Sequence, residues 1–138
     1  MVRRALVGAL LVTLLCAYGV AGHSWIRIGQ VSGYMSRSGD YDYWTVVRLV
    51  AGYDYKFTCT MPWNTDFDLK LFFDLDGDGY YVDEDWSSTW RGERVAISTG
   101  TWNPEEMLFT PWFSGSYVIK VYSFSGYGSY TLTNYKWQ

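Results

Sequence analysis

The chain has 138 residues, the length of a single domain, and carries 11 Lys/Arg against 14 Asp/Glu. A net charge of −3 without any basic cluster excludes a nucleic-acid-binding surface, because a negative surface repels phosphate backbones. One His and two Cys leave little material for nucleophilic or metal-hydrolytic catalysis, whereas eight Trp and 20% aromatic residues point to a tightly packed or adhesive surface.

Arg3 and Arg4 open the chain, an apolar run from Ala5 to Ala21 follows, and Gly19, Ala21 and Gly22 supply small residues at its end. Charge, apolar run and small-residue cut are the order of a secretory signal. Residues 1–22 are therefore expected to be removed, leaving His23 at the new N-terminus. The run is slightly short of the roughly 20 residues that span a bilayer, and if uncleaved it would be the chain's one membrane contact. The mature part, 23–138, is expected outside the cell or at its surface. It holds 9 Lys/Arg against 14 Asp/Glu, and it keeps Cys59 but loses Cys16. An exported domain of this size without a disulfide needs another staple, either aromatic burial or a metal ion.

Downstream the pattern is that of short strands. Trp44–Val50 is a strand candidate. Tyr53, Tyr55, Phe57, Cys59 and Met61 then alternate with Asp54, Lys56, Thr58 and Thr60, which is a half-buried strand with Cys59 on its apolar face. Phe67–Phe73, Arg94–Ser98 and Met107–Thr110 follow. Asn103-Pro104-Glu105-Glu106 reads as an N-cap with Pro at the first helical position, enough for one helical turn. Tyr117–Tyr122 and Tyr130–Trp137, separated by the Gly/Ser-rich stretch 123–129, read as a C-terminal hairpin. The sum is an all-β fold, a jelly-roll-like β-sandwich of roughly 7–9 short antiparallel strands.

The sharpest motif is the acidic run Asp74-Leu75-Asp76-Gly77-Asp78-Gly79-Tyr80-Tyr81-Val82-Asp83-Glu84-Asp85. Ca²⁺ takes six to eight hard oxygens at about 2.3–2.6 Å, and carboxylates at positions 1, 3 and 5 converge only when the chain curls tightly. Gly79 permits that curl. Asp74, Asp76, Asp78, the Tyr80 carbonyl and Asp85 are the expected ligands, in a loop that resembles those of dockerins. Its flanks look extended, so the expected role of the calcium is structural. Two further acid pairs, Asp40 with Asp42 and Asp66 with Asp68, fit either solvated loop acids or a second ion site.

Four stretches occur in a recognisable order. They are SGYMSRSGDYDYW (32–44), LVAGYDYKFTC (49–59), DFDLKLFFDLDGDG (66–79) and EMLFTPWFSGSYVIKVYSFSGYGSYTLT (106–133). Together they resemble the bacterial and archaeal pre-peptidase C-terminal (PPC) domain. The resemblance covers nearly all of 23–138 and implies a jelly-roll-like sandwich, often with calcium, that accompanies secreted proteases or docks on insoluble substrate. The expanded acidic turn at Asp74–Asp85 departs from that pattern.

No G-x-S-x-G or C-x-x-C is present, and a histidine brace would need a second His besides His23. The sequence therefore reads as a non-enzymatic, secreted module that docks on an extracellular protein or insoluble substrate. Trp63, Trp86, Trp90, Trp102 and Trp112 fall in or near loops and strand ends. Trp86 and Trp90 directly follow the acidic run, and with Trp102 they are the candidate ligand-binding residues. An alternative is a polysaccharide-binding module that stacks sugars on these rings. A third is a self-assembling surface or filament subunit, hence a homo-oligomer, that uses exposed strand edges.

Overall fold

The computed structural model describes residues 22–73 and 94–138. The leader, the acidic run with its five candidate calcium ligands, Trp86 and Trp90 lie outside the described residues.

Eight strands are described: β1 (Trp25–Met35), β2 (Tyr41–Leu49), β3 (Tyr55–Thr60), β4 (Asp66–Phe73), β5 (Arg94–Ser98), β6 (Glu105–Phe109), β7 (Gly115–Ser125) and β8 (Gly128–Trp137). They form two four-stranded antiparallel sheets, ordered β1-β8-β3-β6 and β2-β7-β4-β5. The expected antiparallel sandwich is present. Its core is the set of inward residues from both sheets: Phe57, Cys59, Met107 and Leu132 from one, and Trp44, Leu69, Leu71, Ile119 and Val121 from the other. The period-2 alternation of 55–60 is reproduced, with Tyr55, Phe57 and Cys59 buried.

Two expectations fail. The stretch from Glu105 is a strand, not a helical turn. The Asn103 side chain does not cap a helix; its Oδ1 accepts the Met61 N–H at 3.3 Å and its Nδ2 donates to the Met61 carbonyl at 2.7 Å. With the cap otherwise engaged, β6 pairs along β3, Glu105 opposite Cys59. The second failure concerns β7 and β8, which do not pair as a hairpin. They belong to different sheets, β7 between β2 and β4 and β8 between β1 and β3. Gly126 (φ 93°) and Gly128 (φ 136°) adopt backbone conformations that let the chain cross from one sheet to the other.

Strand β7 is buried on both faces from Tyr117 to Val121. On the face away from the core, Val118 and Phe72 are buried, and so is Lys120. The Lys120 ammonium lies 4.7, 5.5 and 5.6 Å from the ring centres of Tyr41, Tyr43 and Tyr122. Such a cage stabilises a desolvated cation through the negative faces of the rings.

The sheets are also joined by a polar relay. The Trp44 Nε1–H on β2 donates to the Tyr130 hydroxyl on β8 at 2.7 Å, and that hydroxyl donates to Asp42 Oδ2 on β2 at 2.7 Å. Gly33, on the strand beside β8, sits so close to the Tyr130 ring that it has no space for a Cβ. Burial, reinforced by the hydrogen bond to Asp42, pushes the Tyr130 hydroxyl well above its usual ionisation range.

Candidate functional site: an aromatic loop end

Because successive strands run in alternate directions, the connections 36–40, 61–65, 99–104 and 126–127 gather at one end of the sandwich. Three of them carry exposed aromatic rings. Trp63 is 89% exposed, Trp102 80% and Tyr127 67%.

These loops are tied to one another. Thr65 Oγ1 donates to the Pro62 carbonyl at 2.7 Å and closes the turn under Trp63, with Asn64 at φ 63°. The two Asn103–Met61 bonds fasten the Trp102 loop to the base of the Trp63 loop. The β7–β8 turn, which carries Tyr127, packs against the same loop. A Cβ at Gly126 would lie 2.7 Å from Thr65 Cγ2, and one at Gly128 2.6 Å from Pro62 Cγ. Gly126 N–H donates to Ser38 Oγ at 2.9 Å, and Gly39 N–H to the Ser123 carbonyl at 2.7 Å, which adds the 36–40 loop. The three rings therefore project from loops whose backbones are braced.

The four acids of the second candidate ion set have separate surroundings. Asp40 Oδ2 accepts from the Ser36 N–H at 2.8 Å and the Ser36 hydroxyl at 2.9 Å, and Oδ1 accepts from the Tyr41 N–H. The Ser36 N–H bond, with its companions, lowers the Asp40 pKa. Asp42 faces the core and takes the Tyr130 hydroxyl. Asp68 lies opposite Tyr122, on the outward face of its sheet, and is buried. Burial pushes its carboxyl up to about 6, aided by Asp66 and Glu105 and opposed by Lys70. Among the described residues, no group of three or more Asp, Glu, His or Cys side chains gathers where it could hold a metal ion.

Glu105, legible in the sequence only as part of the Asn-Pro-Glu-Glu signal, is a buried carboxylate. Its Oε1 accepts the Gly100 N–H at 2.8 Å and the Ser98 hydroxyl, so it organises the start of the Trp102 loop. Cys59 is a free, buried thiol whose pKa burial pushes up to about 12, so it is not poised as a nucleophile. A shallow recess of about 270 Å³ lies elsewhere, lined by Trp25, Asp54, Tyr55, Leu108, Phe109 and Thr110. Two of its side chains hydrogen-bond each other, Thr110 Oγ1 to Asp54 Oδ1 at 2.6 Å.

Of the candidate ligand-binding residues, Trp102 is at this end. Trp63 was legible as a loop tryptophan, but Tyr127 was not singled out. Trp112 is 87% exposed in the β6–β7 connection, at the opposite end.

No family model matches the chain, and no curated protein matches its sequence. Solved structures do match. The pre-peptidase C-terminal domain of collagenase from Bacillus anthracis aligns with TM-score 0.55 at 16% identity, over 76% of this chain and 86% of that one. PliG from Aeromonas hydrophila, a periplasmic inhibitor of g-type lysozyme, aligns with TM-score 0.54 at 16% identity, over 89% of this chain and 92% of that one. The fold is thus that of an antiparallel β-sandwich module. Its arrangement is similar to that of the collagenase PPC domain, as the four sequence stretches had implied.

Proposed function

We propose that residues 23–138 form an exported, non-catalytic module that docks on extracellular protein or insoluble substrate through its aromatic loop end. The observation that carries this reading is the exposure of Trp63, Trp102 and Tyr127 on loops braced by hydrogen bonds and close glycine contacts. Exposed rings of this size are costly in water unless a partner covers them, and aromatic rings gathered on neighbouring loops fit an interaction site. The likeness to a collagenase domain and to a periplasmic inhibitor supports an accessory role outside the cytoplasm.

In the same proposal, residues 1–22 act as a cleaved signal. Asp74, Asp76, Asp78, the Tyr80 carbonyl and Asp85 hold Ca²⁺ as a structural staple in a domain where Cys59 has no disulfide partner. The calcium claim has a simple test. At a free calcium concentration 100 times its dissociation constant, the folded state should gain about 2.7 kcal/mol. Chelation should lower the melting temperature, and Asp76→Ala should remove the difference between chelated and calcium-loaded protein. An unchanged melting temperature on chelation would contradict the staple.

The docking claim is tested by retention on collagen fibrils and on insoluble polysaccharides. Retention should be lost when Trp63, Trp102 and Tyr127 are all replaced by Ala and kept in Trp112→Ala. Retention that survives the triple replacement would overturn the assignment of the docking end.

A further inference from the structure

We propose that the aromatic loop end binds a neutral polysaccharide, with Trp63, Trp102 and Tyr127 each stacking on a sugar ring. The inference rests on the docking reading and names its ligand class. It follows from what else the three loops contain.

Residues 61–65, 99–104 and 123–129 include no Asp, Glu, Lys, Arg or His. Among the described residues, charge beside these loops comes from Arg37 and Asp40 on the 36–40 loop, from Asp66 directly after Thr65, and from the buried Glu105 directly after Pro104; Asp40 is engaged by Ser36, and Glu105 by Ser98 and Gly100. A polyanion, an acidic peptide or a charged lipid headgroup would find no complementary field on these three loops. Protein interfaces draw on Arg and Met beside their aromatics. These loops contain no Arg, Leu, Ile or Val, and their one Met, Met61, is buried.

What remains exposed is aromatic rings among amides and hydroxyls, including Asn64, Thr99, Thr101 and Ser125. A neutral pyranose presents the matching chemistry. Its ring C–H face is apolar and lies on an indole or phenol. Its rim is all hydroxyl and exchanges hydrogen bonds with amide and hydroxyl side chains. The bracing matters for the same reason. A sugar chain offers weak contacts per ring, so platforms fixed before binding retain more of each contact.

The test measures depletion of the exported protein from solution by washed cellulose, chitin and insoluble β-1,3-glucan, with collagen fibrils in parallel. We expect retention on at least one glycan, insensitive to high salt because no charge pairing is involved. Trp63→Ala and Trp102→Ala should each weaken it at least tenfold, and Trp112→Ala should leave it unchanged. Unfolding midpoints close to wild type confirm that the loop variants are folded. Retention on none of the three glycans overturns the proposal. If collagen alone is held, and is released by the same loop variants, the docking end stands and the glycan class falls. If retention on every matrix ignores the loop variants, both fall.

Discussion

Replacing Tyr130 with Phe removes one oxygen atom and tests the relay that joins the two sheets. The hydroxyl accepts the Trp44 Nε1–H and donates to Asp42 Oδ2, both at 2.7 Å. Trp44 is 6% exposed and Tyr130 2%, so the indole N–H has no access to solvent once the hydroxyl is gone. Two hydrogen bonds at about 1 kcal/mol each are lost, and a buried donor left without an acceptor adds about 1–3 kcal/mol. Asp42 is only half-buried and can take water, which reduces its share. The expected loss is therefore about 2–4 kcal/mol, a fall in melting temperature on the order of 10 °C. Urea unfolding followed by tryptophan fluorescence measures it. The double variant Trp44→Phe/Tyr130→Phe should cost less than the two single changes added together, because it strands no indole N–H. A loss under about 0.5 kcal/mol for Tyr130→Phe, or strict additivity in the double variant, would refute the reasoning.

Further perturbations follow from particular contacts. Gly126→Ala and Gly128→Ala each combine a positive φ with a Cβ pressed onto Thr65 or Pro62, and should destabilise by about 1–3 kcal/mol. Gly39→Ala shares the positive φ but meets nothing within 4 Å, so in the same denaturation assay it should cost only about 1 kcal/mol. Cys59 should be inert to a thiol reagent in the native protein and react stoichiometrically once urea unfolds it, because its thiol is buried and held near pKa 12; rapid native labelling would contradict its placement. Asp68 should make stability fall with rising pH. Its folded carboxyl titrates at about 6, against 3.8 ordinarily, so the folded state holds the proton more tightly and ionisation opposes folding. Stability from this group is greatest below the ordinary value and is lost as pH rises toward 6. Asp68→Asn should flatten that slope, read as the wild-type-minus-variant difference in unfolding free energy at about pH 4 and pH 7.

Much of the sandwich was legible because period-2 alternation marks strands that are buried on one side. Residues 55–60 announced themselves in that way, whereas 117–121 are buried on both faces. Strand β1 did not. Most of its residues are exposed or half-buried, since it lies at a sheet edge, so no apolar alternation distinguishes it. The Asn-Pro-Glu-Glu signal misled because capping chemistry is not specific to helices. The Asn103 amide satisfied a neighbouring loop's backbone instead, and Glu105 took the Gly100 N–H and the Ser98 hydroxyl. The crossing of β7 to β8 was invisible because a Gly/Ser turn serves a hairpin and a sheet-to-sheet crossover equally well. At the candidate site, the loop tryptophans could be read from sequence. Their gathering at one end, and the recruitment of Tyr127, depended on strand order and on contacts between residues far apart in the chain, such as Asn103 with Met61 and Gly128 with Pro62.

In the docking proposal, partners are met at the end bearing Trp63, Trp102 and Tyr127. Covalent tryptophan labelling of the matrix-bound protein tests it most directly, since Trp63, Trp102 and Trp112 are 89%, 80% and 87% exposed in the free chain. Binding should shield Trp63 and Trp102 while Trp112, at the opposite end, stays as reactive as in free protein. Shielding of Trp112 with Trp63 and Trp102 still labelled would contradict it.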